Sequence, residues 1–402
     1  MGRKIYITGA GIISAIGKNV EETLASLRNK KSGIGILHHI KTRHQEYLSV
    51  GEVQQTDEEL KDFCKASLNK IHTRTSLLGM LAAAEALKSA GIFDLQEYRT
   101  GIVSATSVGG MGIAENYFSR YLDANDSGEF LKNINTLDCS DSTERIADYL
   151  GIKDFLSTIS TACSSSANSI MYGARLLQHG IVDRVVVGGT DSLSRFTING
   201  FHSLKILDPQ PCKPFDAARN GLNLGEGAGF IVLETEKSLN GKNVLCELSG
   251  YGNSNDAYHQ TASSPDGAGA FLAMEKAFRR SGLNTEAISY INAHGTGTEV
   301  NDLSEGLALE RIFNKKLPPV SSTKSYTGHT LAAAGGIEAV LSILAIQNSM
   351  IYPNLNFKNQ MPELGFSPVV KSEDNHSVNH VLSNSFGFGG NTSSLIFSKV
   401  NS

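Results

Sequence analysis

Ser160-Thr161-Ala162-Cys163-Ser164-Ser165-Ser166-Ala167 is the stretch whose reading decides this chain. It follows Phe155-Leu156-Ser157-Thr158-Ile159, an apolar run of strand character, and opens a helical pattern from Ser164 to His179. A thiol at a strand-to-helix turn lies where backbone N–H groups converge. That setting favours thiolate and can hold an oxyanion. Val185-Val186-Val187-Gly188-Gly189 reads as the next strand, so Cys163 sits inside a strand–helix–strand unit of a layered α/β fold.

Toward the N-terminus, Gly101 to Ser104 reads as a strand followed by the glycine-rich loop Ser107 to Gly112. Ser76 to Ala90 has helical composition, and residues 114–150 look helical with polar interruptions. Ile5-Tyr6-Ile7-Thr8 reads as a first buried strand, and Gly9-Ala10-Gly11 after it as a tight turn. The glycines imitate a dinucleotide-binding fingerprint. Ser14 stands where its third glycine belongs, and no acidic residue follows a second strand at the required distance.

Toward the C-terminus the scheme repeats. Ser289 to Asn292 is a strand leading to His294, and Asp302 to Phe313 a helix. Pro319 to Ser322 is a strand leading to Lys324. His329 opens a small-residue helix, Leu331-Ala332-Ala333-Ala334-Gly335-Gly336, that runs to about Ser349. The helices after Cys163 and His329 look like counterparts in a duplicated chain. Val381 to Asn384 and Ser394 to Ser398 form a closing hairpin, and the turn at Asn240-Gly241-Lys242-Asn243 marks a seam near 240–250.

The 402 residues suffice for one large α/β domain or two fused halves. A net charge of −4 excludes broad nucleic-acid binding, and an acidic partner would need a local basic patch. No uninterrupted apolar run is long enough to span a membrane, and Met1-Gly2-Arg3-Lys4 leads straight into a strand without a signal-peptide core. The five cysteines are scattered without a CxxC pair, which fits a reduced, cytoplasmic location. Cys64, Cys139, Cys212 and Cys246 read as small buried hydrophobes.

His294 and His329 stand out among the eleven histidines because glycine flanks each one. The alternative is a pair of capped turn histidines. His38, His39 and His44 lie in a polar segment and are expected to be exposed. A Cys/His set also raises metal binding, but the short paired spacing of structural zinc ligands is missing, and no metal is expected. Lys324 ends an apolar strand at the same rim, which gives it a buried electrostatic role. Asp302 and Glu305 share a helix face by i, i+3 spacing, and Glu338 follows His329. Each could orient Lys324 or the histidines, or be an ordinary exposed acid. Gly387 and Gly389 free the backbone at Phe388, so its N–H could point at a ligand while its ring covers an opening.

These segments closely resemble the β-ketoacyl-acyl-carrier-protein synthases of the chain-elongating type II kind. The resemblance runs through Thr161-Ala162-Cys163-Ser164, Pro214-Phe215-Asp216, Leu224 to Gly229 and Asp256-Ala257-Tyr258-His259. It continues through Asn292 to Thr296, Ser322-Thr323-Lys324-Ser325, Thr327-Gly328-His329 and Ser383 to Gly390. It implies the thiolase fold, a five-layer αβαβα arrangement of two duplicated halves, here 1–245 and 246–402. It implies decarboxylative Claisen condensation of an acyl-carrier-protein thioester with malonyl-carrier protein, in fatty-acid or polyene and polyketide elongation.

By resemblance, Cys163 carries the acyl group, and the N–H groups of Cys163 and Phe388 form the oxyanion hole. His294 and His329 stabilise the enolate, Lys324 holds the charge near His329, and Asp302, Glu305 and Glu338 support them. Phe388 resembles the gate between the acyl and malonyl sites. Thr296 and Thr298 match contacts to the pantetheine arm, with Thr261 beside them, and Phe201, Val108 and Phe386 match substrate positions. Lys205 matches a carrier-protein contact, with Lys70, Arg74 and Lys132 as neighbours. No redox or nucleotide cofactor is needed; phosphopantetheine arrives on the carrier, and some relatives hold a structural monovalent cation. A homodimer, or a heterodimer with a homologous subunit, is implied.

The chain departs from the family at Arg219-Asn220-Gly221, Gly390-Asn391-Thr392, Tyr326 and the polar stretch Cys139 to Arg145. These departures point away from a plain housekeeping substrate. Two alternatives are a non-catalytic chain-length-factor subunit, which lacks the cysteine, and a biosynthetic thiolase, which uses a second cysteine near the C-terminus. Phe386 to Asn391 contains no cysteine.

Overall fold

In the computed structural model, which describes residues 3–65, 70–123, 127–374 and 377–400, ten strands form one mixed sheet. They are β1 (Tyr6–Ser14), β2 (Thr100–Ala105), β3 (Phe155–Ile159), β4 (Arg184–Asp191), β5 (Gly227–Glu234), β6 (Cys246–Asn255), β7 (Tyr290–Asn292), β8 (Val320–Ser321), β9 (His380–Phe386) and β10 (Asn391–Ser398). The helices that matter below are α1 (Arg74–Ser89), α2 (Met111–Tyr121), α3 (Cys139–Leu150), α4 (Ser165–Gln178), α5 (Arg195–Ser203), α6 (Ala268–Ser281), α7 (Glu299–Ile312) and α8 (Ala334–Asn348).

The spatial order is β8-β7-β9-β10-β6-β1-β5-β4-β2-β3. Cut between β6 and β1, each half runs third-second-fourth-fifth-first in its own chain order. In each half the second strand pairs in parallel with the third and fourth, and the fifth pairs antiparallel with both neighbours. The matching order is the duplication. α4 and α8, which each follow the third strand of a half, are the counterparts expected from the sequence.

Side-chain alternation along the strands builds the layers. Val185, Val187, Ile231 and Leu233 join α4 and α8 in a central core that also takes Val381, Leu395 and Phe397. The alternate residues Val186, Phe230 and Val232 pack under α1 with Leu77, Leu78 and Ala83. On the other side Leu382 and Ile396 pack with Met274 of α6 and Leu309 of α7. The result is five layers, with α4 and α8 between the two halves of the sheet. Strands covered on both faces read as unbroken apolar runs, which is why β4 and β5 stand out in the sequence.

Five expectations need correction. Gly9-Ala10-Gly11 is no turn; it lies mid-strand in β1. A Cβ at Gly9 or Gly11 would sit on the carbonyl oxygen of Ala86 or Ala82, so the glycines let α1 approach the strand. His329 does not open a regular helix, because a short 3-10 turn at Leu331–Ala333 precedes α8. The stretch Leu331–Asn348 is long and apolar enough to cross a membrane, with mean hydropathy 1.4. It is 89% buried within the protein, as the core helix of the middle layer. His44 is buried, hydrogen-bonded to Tyr47 and Asn199 and stacked on His202 at 4.3 Å. The region read as helical over 114–150 resolves into α2, a 3-10 segment at Glu129–Leu137 and α3, while residues 124–126 and the leading Met1-Gly2 lie outside the described residues.

Candidate active site

Cys163 stands between the end of β3 and the start of α4, and is 5% exposed. The preceding Ala162 takes φ 51°, a left-handed conformation that costs a non-glycine residue about 1–2 kcal/mol. Local hydrogen bonds hold it there. Ser165 Oγ donates to Ala162 O at 2.5 Å and accepts from Thr161 N at 2.8 Å, while Ser164 Oγ donates to Thr161 O at 2.7 Å. Burial pushes the Cys163 thiol up to about 12, and Asp191 adds to the rise. Lys324 and the backbone N–H groups of Phe388 and Cys163 pull the other way.

The segment Gly387-Phe388-Gly389 passes directly over the nucleophile. A Cβ on Gly387 would meet Thr161 O at 2.8 Å and Cys163 N at 3.0 Å, so only glycine permits this approach. Gly387 N donates to Asn391 O at 2.8 Å, and Asn391 Oδ1 accepts from Asn168 Nδ2 at 2.8 Å and from Asn253 Nδ2 at 2.9 Å. The reordered Gly390-Asn391-Thr392 thus ties this strap to the nucleophile's own helix. The Phe388 ring stacks on Phe201 of α5 at 5.6 Å.

His294 and His329 meet edge to face, with ring centroids 5.3 Å apart. Lys324 Nζ donates to His294 Nδ1 at 3.2 Å and also bonds Glu338. An ammonium has only donors, so Nδ1 of His294 accepts and its proton resides on Nε2. Lys324 thus contacts His294, whereas it was expected beside His329; it reaches His329 only through its field. Burial, then the Lys324 charge, hold both imidazoles well below the usual histidine range, so both are neutral. Nδ1 of His329 has no hydrogen-bond partner among the described residues.

Of the acids, only Glu338 meets Lys324. Glu305 accepts from the backbone N–H of His294 at 2.9 Å and of Gly295 at 2.8 Å, and Asn384 Nδ2 donates to it at 3.1 Å. Burial pushes its carboxyl up to about 7 against these donors. Asp302 accepts from Gly297 N at 3.1 Å and Phe215 N at 2.7 Å. The i, i+3 pair therefore shapes the loop that carries His294, and touches neither histidine ring.

Cys163, His294, His329, Phe386 and Phe388 line one cavity of about 340 Å³. Thr296 and Thr298, whose hydroxyls lie 2.9 Å apart, share its wall with Phe201, and the exposed Thr261 and Lys205 share its rim. Val108 does not line the cavity, but it packs in the apolar cluster that also holds Phe201, Ile206 and Leu222 of the cavity wall. Lys70 pairs with Asp148 at 3.0 Å and Lys132 with Glu129 at 3.7 Å, and neither lines the cavity. Arg74 is a correction. Its guanidinium is committed to Glu226, Asp57, Gln55 O and Val53 O, so it is no docking surface for a carrier. Among the described residues no group of three or more His, Cys, Asp or Glu side chains is arranged to hold a metal ion.

Sequence reasoning missed Asn223, whose carbonyl accepts from His329 N at 2.7 Å, and Asn384 and Asp191, polar groups in or ending apolar strands. A buried polar residue inside an apolar run was the available signal.

The family model for the β-ketoacyl synthase N-terminal domain matches residues 2–238, and that for the C-terminal domain matches residues 245–358. This chain belongs to the β-ketoacyl synthase family. It is 32% identical over 410 residues to 3-oxoacyl-[acyl-carrier-protein] synthase 2 of Staphylococcus aureus, covering 99% of this chain and 98% of that protein. The same-named protein of Vibrio cholerae is 32% identical, covering 99% of each. Among solved structures, the ishigamide ketosynthase/chain length factor superposes with a TM-score of 0.92 at 29% identity over 100% of both chains. A ketosynthase in complex with its chain length factor from Xenorhabdus doucetiae gives 0.85 at 32% identity, covering 99% of this chain and 98% of that one. The fold of this synthase is the thiolase fold of those ketosynthases.

Proposed function

We propose that this synthase condenses an acyl group carried on Cys163 with a malonyl thioester, both delivered by acyl-carrier protein. The observation that carries the reading is the pair of neutral histidines facing one cavity with Cys163, under the N–H groups of Cys163 and Phe388.

In the first step Cys163 Sγ bonds the acyl carbon, the carrier's C–S bond breaks, and the thiol proton leaves with the pantetheine sulfur. The N–H groups of Cys163 and Phe388 hold the tetrahedral oxyanion. In the second, the malonyl C–CO2 bond breaks and its electron pair becomes an enolate, whose oxygen accepts from Nε2–H of His294 and His329. The carbanion attacks the acyl carbon, the C–S bond to Cys163 breaks, and the sulfur leaves as a thiolate that takes a proton from water. Neutral imidazoles donate hydrogen bonds to the enolate without protonating it, as an imidazolium would. Lys324 fixes the His294 tautomer. Thr296, Thr298 and Thr261 bind the pantetheine arm, and Lys205 meets the acidic carrier at the rim.

The chemistry needs no further cofactor, and a cytoplasmic site of action fits the free thiols. We place the boundary of the halves at 245/246, where β6 begins. Reordered glycine-rich and polar segments favour a specialised polyene or polyketide chain over a housekeeping one. Intact-protein mass spectrometry after incubation with a panel of acyl-carrier thioesters tests the reading: one acyl mass on Cys163 is expected. No adduct with any chain on folded protein would leave the chain-length-factor role.

A further inference from the structure

Asp191 ends β4 with a carboxylate 0% exposed. Thr106 Oγ1 donates to it at 2.5 Å, Ser107 Oγ at 2.6 Å, Ser107 N at 3.1 Å and Ala332 N at 2.8 Å. Thr106 Oγ1 in turn accepts from Gly109 N at 3.2 Å. Burial pushes the Asp191 carboxyl up, and these donors pull the other way.

Three elements converge on this carboxyl. The loop Thr106–Val108 follows β2, and Ala332 belongs to the 3-10 turn three residues after His329. Ala332 O accepts from Ser166 Oγ, three residues after Cys163. Both backbone groups of Ala332 are thus held by the first half of the chain, one by the strand end and one by the nucleophile's helix. The turn has little freedom of its own: Leu331 takes φ 52°.

We propose that Asp191 is a positioning residue: its carboxylate locks the turn that carries His329 against the Thr106–Val108 loop. The proposal rests on the condensation reading above. His294 stands on a different loop, after β7, so loosening this turn displaces His329 and leaves its partner imidazole in place.

The test compares Asp191→Asn with the wild type in the full-length protein. It measures acyl transfer to Cys163 by intact-protein mass spectrometry, and CO2 release from malonyl-carrier protein. Asp191→Asn sets an amide N–H among hydrogen-bond donors and loosens the turn. It is expected to release CO2 on the order of 10-fold more slowly, from misplaced His329, with acylation of Cys163 kept. Unchanged CO2 release, or an equal loss of acylation, would overturn the proposal. If Asp191→Asn does not fold, Thr106→Val joined to Ser107→Ala frees the loop end of the clamp. The same split is then expected, and unchanged CO2 release overturns it. Acylation of the wild type tests the condensation reading separately, so its failure is distinguishable from failure of the clamp.

Discussion

At the residue scale, the site depends on imidazoles that stay neutral. A histidine beside a buried ammonium is costly to protonate, and Lys324 supplies that ammonium. Malonyl decarboxylation should therefore be level from pH 8 to about 6, because the ordinary histidine pKa of about 6.5 has been displaced downward. Sign and direction agree: a lowered pKa keeps the donor form at pH values where a free histidine would already be charged. A kcat/KM profile that halves near pH 6.5 would contradict it. His329→Ala should keep acylation of Cys163 while slowing CO2 release by about 10²–10³, the usual cost of one oxyanion donor. Lys324→Ala strands Glu338 in the core and should cost about 3–5 kcal/mol in a denaturant melt. Cys163, His294, His329 and Lys324 were all legible in the sequence, because each sits in a turn stripped of bulk. Their mutual contacts were not: nothing in the residue order says that Lys324 meets His294 before His329.

At the scale of elements, the strap Gly387–Gly389 and the turn Thr161–Cys163 form one device, since the N–H of Phe388 reaches the sulfur only at close approach. Gly387→Ala should slow acyl transfer to Cys163 and change CO2 release much less, because the histidines stand on other elements; stopped-flow acylation against CO2 release separates the two. Gly11→Val should abolish soluble expression, as its side chain would enter the backbone of α1. Strands and helices were readable where burial on both faces left apolar runs, as in β4. The Gly9-Ala10-Gly11 segment misled because glycine serves a turn and a close helix contact equally well. Arg74 misled because a charge on a helix start looks exposed until its four partners are seen.

At the scale of the molecule, β3 ends the sheet with a free edge and an exposed Leu156 at its middle. α2 exposes Phe118 and Tyr121, and the 3-10 segment, which packs on α2 and α3, exposes Leu131 and Ile134. A free edge with an apolar flank is what a partner subunit covers. Light scattering should give a dimer mass, and Leu156→Asp should shift it toward monomer; a monomeric wild type would point to a homologous partner subunit.

The sequence by itself determined the chemistry's parts and the duplication, because turn residues and strand periodicity are local properties that the chain carries in order. Only the tertiary structure decided the tautomer of His294, the roles of Asp302 and Glu305 as loop holders, and the place of Asp191. Those depend on contacts between residues far apart in the chain, such as Asp191 with Ala332, and burial in a shared core sets both their geometry and their charge.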